Sequence, residues 1–172
     1  MAKLIGLDVV DLPDLVAVGR ALCAPMEAMM GDSNPIPAFW DRCFADGTFA
    51  ALEAAAEGQW DPSYVGLMAD FRSREGKFTY LCGILYRQGV ALPAGFEVLP
   101  VPAGRAALGW VRGRDTADVC GAAHALVTQG LQAAGHTCEH MAWTMELYNC
   151  PRFTTPDEDG CITLDYYIPL DA

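Results

Sequence analysis

The stretch W-T-M-E-L-Y, residues 143–148, carries one carboxylate, Glu146, among residues that favour strands. Side chains alternate across a strand, so Glu146 shares a face with Thr144 and Tyr148, while Trp143, Met145 and Leu147 share the other. On a solvent-facing side Glu146 is an ordinary surface acid. On a side that lines a cavity, burial raises a carboxylate's pKa or demands a cation, and the residue becomes a cation receptor or a general base.

Aromatic residues weigh on that choice. Tyr64, Phe78, Tyr80, Tyr86, Trp110, Trp143, Tyr148, Tyr166 and Tyr167 all fall in predicted strands, and Phe78, Tyr80 and Tyr86 sit at even spacing on one face of theirs. A carboxylate ringed by aromatic faces suits a flat lipophilic cation, because charge pairing and cation–π attraction add in a desolvated pocket. Core filling accounts for some of these rings. The histidines offer less. His136, Cys138 and His140 alternate in H-T-C-E-H, but no fourth ligand stands at a zinc-like spacing and the segment follows a helix end, so no metal is expected. His124 falls inside a helix. G-x-S-x-G, G-x-x-x-x-G-K-[ST] and G-x-G-x-x-G are absent, which leaves no cofactor expected.

The chain of 172 residues is 52% apolar and 19% charged, enough for one domain or two small fused halves. Its net charge of −11 argues against direct nucleic-acid binding, since Arg72, Arg74 and Lys77 form its densest basic group. A summed negative field favours cationic small molecules instead. No apolar run reaches the ~18 residues that a membrane span needs, and Asp8 interrupts any signal-peptide core, so a cytoplasmic protein is expected. Seven dispersed cysteines without a C-x-x-C pair fit reduced thiols.

The elements that must position these groups read in a repeated order. Residues 4–10 and 15–22 form strands around the L-P-D turn and are expected to pair as a hairpin. Prolines in N-P-I-P open a helix with Phe39, Trp40 and Cys43 at helical spacing, Asp46-Gly47 interrupts it, and a further turn or two covers 49–56. Strands 64–71 and 78–86 follow, joined by S-R-E-G. In the second half, strands 96–102 and 105–111 are expected to pair. A long helix capped by Asp115 and ended by Gly135 carries Val119, Ala122, Ala123, Leu126, Val127 and Leu131, and strands 141–150 and 161–170 close the chain. Both halves thus read strand, strand, helix, strand, strand, a duplicated α+β unit with half-modules of about 1–90 and 91–172 in one domain.

I-P-A-F-W (36–40), Y-V-G-L (64–67), F-T-Y-L-C-G-I (78–84), L-P-A-G-F-E-V-L-P-V-P-A-G (92–104), E-L-Y (146–148) and D-Y-Y-I-P-L (165–170) occur in an order that resembles the GyrI-like, AraC-type effector-binding domain over nearly the whole chain. The resemblance implies a pseudo-twofold antiparallel sheet with two helices packed on it and a ligand cleft between the halves, floored by the acid of the E-x-Y strand. That acid is Glu146 here, with Tyr148, Trp110, Tyr80, Tyr64, Trp143, Phe39 and Trp40 as candidate walls. Strand alternation keeps Trp143 and Tyr148 from both facing inward, and Tyr148 is preferred. Because a strand already begins at Leu4, the resemblance implies a stand-alone member that binds lipophilic, cationic, drug-like molecules. It also implies two alternatives. One is hydrolysis of cyclopropane-type electrophiles, with Glu146 acting on water and Tyr80 or Tyr148 donating a proton. The other is a protein-binding role toward gyrase or a transcription regulator.

Overall fold

The computed structural model describes residues 1–30, 33–73, 75–138 and 141–171. Its elements are β1 (Lys3–Leu12), β2 (Leu15–Pro25), a 3-10 turn (Met26–Met30), α1 (Ile36–Ala45), α2 (Thr48–Ala54), β3 (Gln59–Ala69), β4 (Lys77–Arg87), β5 (Glu97–Val101), β6 (Gly104–Gly113), α3 (Thr116–Ala133), β7 (Trp143–Tyr148) and β8 (Ile162–Pro169). The fold is α+β and its strands pair antiparallel. The repeated element order expected from the sequence is present, with the first helical segment broken at Asp46 and Gly47, where glycine takes a left-handed φ of 80°. Among the described residues, no helix is long and apolar enough to cross a membrane.

The chain divides into two compact units, residues 13–102 and residues 1–12 with 103–172. These do not coincide with its halves. The expected hairpin of the first two strands does not form: β1 runs along β6, from Lys3 opposite Arg112 to Leu12 opposite Gly104, while β2 pairs with β4 and β5. The expected pairing of strands 96–102 and 105–111 fails in the same way, since β5 lies on β2 and β6 lies between β1 and β8. Pro13 and Pro102 mark where the chain leaves a strand, but a proline turn does not encode which strand comes next. The β3–β4 hairpin does form, although Arg74 of its S-R-E-G turn lies outside the described residues.

In the 13–102 unit the strands lie in the order β3-β4-β2-β5, and β4 is buried from Phe78 to Tyr86. Its tyrosines hold the helices. Tyr80 accepts the indole N–H of Trp40 on α1 at 2.9 Å, and the Tyr86 hydroxyl is shared between the carbonyls of Leu52 and Ala55, helping to satisfy the end of α2.

In the unit of residues 1–12 and 103–172 the order is β1-β6-β8-β7, with α3 packed on β1, β6 and β8. Asp115 caps α3 by accepting from the Asp118 N–H at 2.9 Å, and the Asp118 carboxylate in turn accepts from the Ala2 N–H at 2.9 Å, tying the start of the helix to the start of β1. Val119, Ala123, Val127 and Leu131, spaced at every fourth residue, make the buried stripe. A fully buried Val or Leu contributes about 1.5–3 kcal/mol relative to exposure. The helix can settle this low because β6 has glycine beneath it: a Cβ at Gly109 would stand 2.3 Å from Cγ2 of Val127. Val127 is β-branched and cannot swing aside cheaply. Gly109→Ala is therefore expected to lower stability by about 1–3 kcal/mol, read as a lower urea midpoint; an unchanged midpoint would show that α3 has slack.

Candidate functional site

Glu146 is 7% exposed on β7, paired with Tyr166 of β8. The period of two holds along this short strand. Tyr148 donates its hydroxyl to Glu146 Oε2 at 3.0 Å, so acid and phenol share one face. Helix α3 supplies side chains to the same group: Cys120 Sγ lies 3.8 Å from Tyr148 Oη, and His124 Nδ1, one turn on, lies 3.2 Å from Tyr166 Oη. With the Tyr148 proton committed to Glu146, the Cys120 thiol is the donor to Tyr148.

Glu146's neighbours are held neutral. Burial, and after it the Glu146 carboxylate, push the Cys120 thiol far above its ordinary value. Burial likewise raises the Tyr166 phenol, with Glu146 adding to the shift and a hydrogen bond with Thr144 working against it. Burial lowers the His124 imidazole below its usual 6.5, which favours the uncharged ring. The arrangement is one buried carboxylate with an aromatic hydroxyl on it, beside a thiol and a second phenol–imidazole pair. A loop residue completes it: Phe153 meets the Tyr148 ring edge-on, with centroids 4.8 Å apart.

Among the other residues singled out from the sequence, Trp110 and Trp143 lie on the opposite faces of their strands. Trp110 is the register partner of Asp165, next to the Gly109–Tyr166 pair, and its ring covers Gly6. Trp143 is buried. Tyr80, Tyr64, Trp40 and Phe39 belong to the 13–102 unit. There Trp40 stacks on Phe49 at 5.4 Å, Phe49 stacks on Tyr64 at 4.1 Å, and Phe44, 54% exposed, leans on all three. Tyr64 donates to Glu53 on α2, and Phe39 lies under the Arg42 guanidinium at 5.6 Å. Among the described residues no group of side chains could hold a metal ion; His140 of the H-T-C-E-H segment lies outside them.

An open pocket of about 250 Å³ lies elsewhere, under the loop at 149–161, lined by Pro151, Arg152, Thr155, Asp157, Cys161 and Thr163. Its charged groups are already engaged, Arg152 with Asp165 at 2.8 Å and Asp157 with Arg112 at 2.7 Å. Sequence reasoning missed Cys120 and Phe153. Cys120 could have been found from its spacing of four to His124 beside the buried stripe, whereas nothing local marks Phe153.

The chain belongs to the Cass2 family, described as integron-associated effector binding protein, whose model matches residues 8–170. Solved structures share the fold. SAV2435 bound to tetraphenylphosphonium superposes with a TM-score of 0.72 at 17% identity, covering 98% of this chain and 95% of that one. A Staphylococcus aureus MU50 protein with a proposed role in bacterial transcription regulation gives 0.69 at 17% identity over 97% and 99% of the chains. The Vibrio cholerae integron cassette protein VCH_CASS2 gives 0.63 at 12% identity over 99% of both. No functionally curated protein matches the sequence.

The thiol environment can be checked directly. Under limiting iodoacetamide at pH 8, with sites mapped by mass spectrometry, exposed Cys23 and Cys150 are expected to react well before Cys120. Equal rates would mean that the Cys120 thiol is not suppressed.

Proposed function

We propose that this protein binds lipophilic cationic small molecules, with the Glu146 carboxylate as charge partner and the Tyr148 ring beside it. The observation that carries the reading is a 7%-exposed glutamate with the Tyr148 hydroxyl bonded to it and the Tyr148 ring beside it. A cation arriving there gains both the carboxylate charge and the aromatic faces in a place largely stripped of water. Membership of an effector-binding family and the likeness to SAV2435, a protein seen with tetraphenylphosphonium, support the same chemistry. The net charge of −11 draws cations toward the surface. Seven free thiols fit a reducing compartment, the cytoplasm.

Tetraphenylphosphonium and tetraphenylborate have nearly the same shape and opposite charge, so titrating both separates electrostatics from lipophilicity. The phosphonium is expected to bind and the borate not. Glu146→Gln is expected to cost about 2–5 kcal/mol, at least ~30-fold in Kd. Equal affinity of wild type and variant for the phosphonium would sink the proposal.

One observation favours a second reading. Tyr148 already donates to Glu146, and a carboxylate with a phenol on it is the minimum pair for general base and general acid chemistry on an electrophile. Mass spectrometry of strained electrophiles incubated with the protein would show addition of water if that pair is catalytic; no product across such compounds leaves binding.

A further inference from the structure

Two sets of ion pairs tie the loop at 149–161 to the sheet. From β6, Arg112 reaches out to Asp157 and Asp159, each at 2.7 Å. In the reverse direction, Arg152 of the loop reaches Asp165 on β8, a carboxylate only 2% exposed. The pocket of about 250 Å³ lies between loop and strand, and one backbone bond, from the Thr163 N–H to the Arg152 carbonyl at 2.9 Å, supplements the two clamps there. Immediately after Arg152 comes Phe153, whose ring meets Tyr148 edge-on at 4.8 Å. Along the acid face of β7, Thr144 and Glu146 are buried while Tyr148 is half-buried, as is Phe153, so the approach to Glu146 at this end passes the two rings.

We propose that Phe153 is a further ligand-contacting aromatic of the Glu146 site, delivered by a strap, the loop at 149–161, that the Arg112 and Arg152 clamps hold against the sheet. The proposal rests on the cation-binding reading and deepens it. An edge-to-face pair beside a carboxylate offers two ring faces to a cation carrying aromatic groups, and both must part or tilt for a bulky one to enter. Exit then requires the strap to yield, and dissociation depends on the clamps. The Asp157 carboxyl is held near 2 by the Arg112 guanidinium and by backbone N–H groups, so the outer clamp stays charged above pH 4. Surface ion pairs weaken with salt, which makes the strap's hold sensitive to ionic strength.

Stopped-flow binding of tetraphenylphosphonium tests the assignment. Phe153→Ala is expected to weaken affinity about 3- to 30-fold. Arg112→Gln, which touches no ligand, is expected to raise the dissociation rate several-fold and flatten its dependence on salt. A purely structural role for Phe153 would lower the melting temperature and leave the rates alone. Wild-type rates in both variants, with Glu146→Gln still losing affinity, overturn the strap and spare the binding reading. If Glu146→Gln loses nothing, the binding reading fails, and the strap is judged on iodoacetamide labelling of Cys120. Release of Phe153 in Arg112→Gln should speed that labelling several-fold, and an unchanged rate overturns the strap.

Discussion

A glutamate that keeps only 7% of its surface in water must be compensated by something, and much of the unit around β7 is arranged to do so. Stripping a carboxylate of water costs several kcal/mol even after local relaxation. The Tyr148 hydroxyl offsets part of that cost with a charge-assisted bond at 3.0 Å. The same burial that presses on Glu146 keeps the nearby Cys120 protonated and lowers His124 toward its uncharged form. A buried carboxylate that carries an aromatic hydroxyl is a suitable seat for a cation with aromatic groups.

That arrangement depends on α3 lying close. The helix brings Cys120 and His124 down to the sheet only because β6 presents no side chain at Gly109 and because Asp115 and Asp118 fix the helix start, one as a cap and the other by holding the first residues before β1. Raising α3 by the width of a methyl group would loosen both hydrogen bonds that it makes to the site tyrosines. The link from backbone to function therefore runs through a packing constraint that has no chemistry of its own.

Much of this was legible in the sequence for local reasons. The period of two put Glu146 and Tyr148 together, a cap residue and a terminal glycine bounded α3, and the motif order pointed to the effector-binding family to which the chain belongs. What escaped was non-local. The first two strands look like a hairpin because turn chemistry is local, yet β1 finds its partner about a hundred residues away in β6, a choice set by burial of the whole face. Phe153 sits in a polar loop with no periodicity to betray it, and only the folded chain sets it on Tyr148. Among the aromatics, the sequence marked which residues are present but not which face each takes: Trp110 and Trp143 turn away from Glu146, while Tyr166 turns toward it.

Crystals grown with tetraphenylarsonium would test the central claim most directly, because the arsenic atom gives an anomalous signal that marks the cation without assumptions about its rings. The account predicts a single strong peak beside the Glu146 carboxylate, with phenyl groups against Tyr148, and loss of that peak in Glu146→Gln. A strong peak distant from Glu146, or one that survives the substitution, would contradict it.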